Sequence, residues 1–79
     1  MVTVHREAGL RLIIFKDDHE PAHVHVVGDG AAKISLAGPN GRPELLSNDG
    51  LKTGDLRKAM RIVTERQAFF LEQWKHHHG

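Results

Sequence analysis

HVHVVGDGAAKISL, residues 23–36, is the stretch whose reading decides the fold. Gly28-Asp29-Gly30 is a hairpin signal set between two runs that alternate with the period of a strand. With the turn centred on Asp29, Val24 faces Ile34, Val26 faces Ala32, His25 lies opposite Lys33, and His23 lies opposite Ser35. Every apolar even-numbered side chain then shares one face, as a half-buried hairpin requires. The same parity puts His23, His25, Lys33 and Ser35 together on the other face. In a monomer that face is open to a metal, a phosphate or a partner. In a homodimer two such faces could pair, although Lys33 among the histidines discourages burial.

Upstream, Leu10 to Phe15 is apolar on both faces except at Arg11, the pattern of an interior strand. Val2, Val4 and Arg6 alternate with Thr3 and His5 as a first strand, and Gly9 is free to turn the chain between the two. Lys16 to Pro21 is a polar loop, because Pro21 cannot donate to a sheet ladder. Downstream, Gly38-Pro39-Asn40-Gly41 turns the chain, Pro43 to Ser47 forms a short edge strand, and Asn48-Asp49-Gly50 turns it again. From Leu56 the period changes. Leu56, Met60, Val63, Phe70 and Trp74 recur at helical spacing, widened by Ala59, Ile62 and Leu71, with Gln67 as the one polar interruption. Thr53 is placed to act as N-cap, and Asp55 sits in the first turn, where it suits the helix dipole. Arg61 and Glu65 stand at pairing distance, and neither Gly nor Pro interrupts residues 55–78. The expected architecture is α+β: an antiparallel sheet of four to five strands (2–47) packed on one long C-terminal helix (53–76), a single domain over 1–79. Trp74, last in the apolar stripe, is expected to be buried against the sheet.

Composition narrows the class of protein. A chain of 79 residues supports one domain and only a modest core. With no cysteine there is neither a disulfide framework nor a thiolate site, which favours a reducing, cytoplasmic home. MVTVHREAG lacks the apolar core of a secretory signal, and the longest apolar run, Leu12 to Phe15, is far short of a membrane span. A soluble protein is expected. Residues 1–51 carry five Lys/Arg against seven Asp/Glu, whereas residues 52–79 carry six against three. Positive charge therefore collects on the helix, at Lys52, Arg57, Lys58, Arg61, Arg66 and Lys75, a face able to neutralise phosphates or simply to be solvated.

Chemistry concentrates in the loop before the hairpin. HEPAH, residues 19–23, matches the zinc-peptidase pattern in letters only. That motif needs a helix to bring its histidines one turn apart, and here Pro21 sits inside it with a strand following at once. His23 and His25 instead neighbour each other on one strand face, with His19 just before them. These three imidazoles, together with Asp17, Asp18 and Glu20, leave three readings open. They can hold a divalent metal of the imidazole-preferring kind, supply an acid/base pair for RNA cleavage, or stand as solvated polar residues.

DDHEPAHVHVVGDGAAKISL (17–36), PELLSNDGL (43–51) and a helix ending in W-x(3)-H-G together resemble the bacterial family catalogued as domain of unknown function 4160. HEPAHVHV (19–26) is the most specific part. Ala22 stands where the family usually has a second proline, and Leu12-Ile13-Ile14 replaces a more aromatic run. The resemblance implies a small bacterial protein encoded in pairs that look like toxin–antitoxin modules, and it carries no catalytic residues. The expected function is accordingly a toxin–antitoxin-type or mobile-element interaction protein that binds a protein or nucleoprotein partner. One form of this is an inhibitor of a CRISPR-type defence complex. In it, Asp17, Asp18 and Glu20 would cover a basic channel, or Lys33, Arg57, Lys58 and Arg61 would occupy a nucleic-acid surface. One alternative is a ribonuclease-like toxin in which His19, His23 and His25 act as acid/base or metal-binding groups and Lys33 steadies a phosphate. The other is a DNA-binding regulator using the helix. No cofactor beyond a divalent metal is implied.

Overall fold

The structure, a computed structural model, describes residues 2–78. Five strands form one antiparallel sheet in the order β1-β2-β3-β4-β5, each paired with its neighbour in sequence. They are β1 (Val2–Glu7), β2 (Leu10–Ile14), β3 (His23–Val27), β4 (Ala31–Ser35) and β5 (Glu44–Asp49). The β3–β4 register is the one that the Asp29-centred turn requires: His23 opposite Ser35, Val24 opposite Ile34, His25 opposite Lys33, Val26 opposite Ala32. Ala8 and Gly9, both at positive φ, close the β1–β2 turn, a conformation that glycine accepts without cost. Gly30 answers a different need. A Cβ there would overlap the backbone of Gly50 and Leu51, which crosses beside it into the helix.

Val24, Val26, Ala32 and Ile34 are buried on the helix-packed face with Leu10, Leu12 and Ile14. Ala59, Ile62, Val63, Phe70 and Trp74 meet them from the helical layer. Burial of this shared apolar surface is the main favourable term in a domain of this size.

The single long helix does not form as expected. Its residues divide into α1 (Thr53–Glu65) and α2 (Gln67–His78), which break at Arg66 (φ −115°, ψ 25°) without help from Gly or Pro. The stripe itself explains the break. Continued regularly, it would aim Arg66 and Gln67 into the core between Val63 and Phe70, and an unpaired charge buried there is costly. The irregular turn lets Arg66 reach Glu7 (3.3 Å), while the Gln67 amide donates to the carbonyls of Leu36 (2.7 Å) and Gly41 (2.8 Å). Two smaller expectations also fail. Lys52, not Thr53, occupies the N-cap position, and it makes no side-chain cap. Among the described residues, Arg61 and Glu65 form no ion pair, since the only acidic partner of a helix cation is Glu7.

Candidate functional site

The β2–β3 loop folds over the end of the sheet because of one turn. The Asp18 amide donates to the Phe15 carbonyl (3.1 Å) and the Phe15 amide donates back to Asp18 Oδ2 (3.4 Å), which holds the carboxylate toward the strands while Asp17 stays exposed. Strand parity then delivers two imidazoles to the same carboxylate oxygen. Asp18 Oδ2 lies 3.1 Å from His25 Nε2 and 3.2 Å from His23 Nε2. All three potential ligand atoms fall within 4.8 Å of one another.

The two histidines differ in their surroundings. His23 is 5% exposed, wedged between the rings of His25 (5.1 Å) and Trp74 (5.3 Å). Its Nδ1–H donates to the carbonyl of Pro21 at 2.8 Å, which in the neutral ring places the lone pair on Nε2, the nitrogen that faces Asp18. At that nitrogen the 3.2 Å approach to Asp18 is out of line for a hydrogen bond, so a fully buried polar atom is left without one. His25 is half-buried, edge-on to Phe15 (4.5 Å), and its Nε2–H donates to Asp18. Burial pushes the His25 imidazole below its ordinary pKa; Asp18 opposes that shift, and His23 and Lys33 reinforce it. Burial thus favours the neutral imidazole, the form a metal ligand takes.

An open cleft of about 310 Å³ adjoins the cluster, lined by Asp17, His19, Glu20 and Lys33 together with Asp18, His23 and Leu46. The structure thus gathers His23 and His25 with Asp18, and it leaves His19 exposed on the cleft rim, outside the three-residue cluster. Asp18, which the sequence allowed either as a metal-site neighbour of the histidines or as part of a partner-facing acidic loop, is half-buried beside His23 and His25, whereas Asp17 and Glu20 are exposed. Arg57, Lys58 and Arg61 are exposed on α1 and take no part in the cluster. Sequence reasoning also overlooked Trp74 and His78 as neighbours of the site. His78 stacks on Trp74 at 3.8 Å, and its two ring nitrogens lie 2.9 Å from the Trp74 carbonyl and 3.1 Å from that of Phe15. The W-x(3)-H spacing, one helical turn, was the available signal.

The model of domain of unknown function 4160 matches residues 9–75. The chain belongs to this family. The matched span contains β2 to β5, Asp18, His23, His25 and Trp74, so the cluster is part of the family domain. No curated protein and no solved structure matches the chain. No described helix is long and apolar enough to cross a membrane.

Proposed function

We propose that the protein is a small interaction module of the toxin–antitoxin type, acting by binding a protein partner along its β5 edge. The observation that carries this is β5 itself. All six residues from Glu44 to Asp49 are exposed, and Leu45 and Leu46 present 42% and 46% of their surface to solvent. An open strand edge with apolar side chains is a ready template for a strand from another chain, and a partner strand gains main-chain hydrogen bonds there. Glu44 and Asp49 at the two ends favour a partner strand with basic flanks. The paired genes that the family resemblance implies point the same way. A defence-complex inhibitor is one form of this reading, with the exposed Asp17 and Glu20 beside the same edge's Leu46 on the cleft. Co-expression with the product of each flanking gene, followed by size-exclusion chromatography, tests it. A stable complex abolished by Leu45→Asp/Leu46→Asp is expected. A complex that survives those changes, or none with either product, contradicts the reading.

A ribonuclease-like toxin is the second reading, favoured by the Asp18–His23–His25 cluster beside Lys33. Burial of His23 Nε2 argues against the metal-free acid/base pair, because that atom cannot meet a substrate directly. Growth arrest on expression, relieved by His25→Ala, is the expected sign, and a harmless parent protein counts against it. No observation favours the DNA-binding regulator: α1 and α2 follow each other across a single residue, not across the turn of a helix-turn-helix.

A further inference from the structure

We infer that Asp18, His23 and His25 form a binding site for one divalent transition-metal ion, held by Asp18 Oδ2, His23 Nε2 and His25 Nε2. Four observations converge on it. The donors are two imidazole nitrogens and one carboxylate oxygen, a set that suits zinc, iron and their neighbours and leaves coordination positions open. The spacing fits. Ligands about 2.0–2.2 Å from an ion stand about 2.8–3.1 Å apart at octahedral cis positions and about 3.3–3.6 Å apart in tetrahedral geometry. The oxygen-to-nitrogen separations here are 3.1 and 3.2 Å. The His23 ring is already oriented: with its Nδ1 proton on the Pro21 carbonyl at 2.8 Å, the lone pair of Nε2 is directed inward, the arrangement in which ligating histidines are usually held. Lastly, that buried Nε2 has no hydrogen-bond partner, and an unsatisfied buried nitrogen carries a desolvation cost that a bound cation would remove.

Magnesium and calcium suit the site poorly, since both prefer all-oxygen ligands and only one carboxylate is present. The ion would touch the cleft where Asp18 and His23 line it. Lys33 on the same wall disfavours a bare second cation and favours an anionic outer ligand such as phosphate. His25 need only move its proton from Nε2 to Nδ1, exchanging its hydrogen bond to Asp18 for the ion. Metal binding does not depend on the β5 edge, so its success or failure is separable from that of the partner reading.

Zn²⁺ competition against a chromophoric chelator, on full-length protein stripped of metal, tests the site. One ion per chain is expected. Affinity should fall at least ~100-fold in Asp18→Asn and in His25→Ala, since even residues supporting a ligand are worth 10–100-fold. Circular dichroism of each variant verifies folding, and Asp18→Asn preserves side-chain volume if His25→Ala does not fold. The tail histidines require their own control, because exposed His76 and its neighbour His77 can bind zinc adventitiously. His76→Ala/His77→Ala should keep the site intact. The cobalt complex should show the ligand-field absorption of a nitrogen/oxygen site in the parent and in the tail variant, and lose it in Asp18→Asn. Absence of stoichiometric binding, or binding lost with the tail and kept in Asp18→Asn, overturns the assignment.

Discussion

The two faces of the β3–β4 hairpin are written by alternate residues of the same fourteen-residue stretch, yet they have opposite characters. Val24, Val26, Ala32 and Ile34 face the helices and are buried with no polar atom among their side chains. His23, His25, Lys33 and Ser35 face the other way, and two of them are buried as well. The inner face can only contribute stability. The outer face holds a half-satisfied polar cluster, which lowers stability unless something binds it. A strand thus separates folding from chemistry at single-residue intervals, and the two faces meet where Trp74, a member of the core, packs against His23.

The largest expected effect lies on the inner side. Phe70→Ala, at a fully buried position, should cost about 3–5 kcal/mol and bring a domain this small near to unfolding. Urea denaturation followed by Trp74 fluorescence measures it, and a loss below ~1 kcal/mol would show that the helical layer is not the main core. Next comes Gly30→Ala, where the new methyl meets the Gly50 backbone; a loss above ~1 kcal/mol is expected from the same denaturation curves.

The outer face should respond more weakly. His25→Ala removes one partly exposed hydrogen bond to Asp18 and should cost ~1 kcal/mol or less. A cost equal to that of Phe70→Ala would erase the distinction between the faces. Smaller still is the pH effect. His25 is harder to protonate in the folded chain than in the unfolded one, so the unfolded state takes up the extra proton first. The penalty is absent above about pH 6.5, the ordinary histidine value, and grows as the pH falls from there toward the folded-state pKa. Thermal melts of the parent should lose more than those of His25→Gln as the pH is lowered through that window. Equal losses would mean that other groups govern the acid limb.

These contrasts follow the line between what could be read from the sequence and what could not. The hairpin register, the inner-face residues and the burial of Trp74 were legible, because periodicity and a Gly-Asp-Gly turn are local signals. The break at Arg66 was not: no breaker residue marks it, and it depends on distant partners, Glu7 for Arg66 and the Leu36 and Gly41 carbonyls for Gln67. The candidate site was half legible. Parity paired His23 with His25, but the inward turn of Asp18 arises from an aperiodic loop, and the burial of His23 from a tertiary contact with Trp74. His19 looked equivalent to the other two by spacing, and only the path of the loop separates it from them.

The outer face presents a pre-oriented ligand atom without a hydrogen-bond partner, His23 Nε2. Nitrogen-15 NMR of the imidazole rings, on metal-free protein near neutral pH, tests it most directly. His23 should carry its proton on Nδ1, bonded to the Pro21 carbonyl, with Nε2 bare, while His25 carries its proton on Nε2 toward Asp18. A His23 ring protonated on Nε2 would have no lone pair to offer a metal, and that result would contradict the assignment.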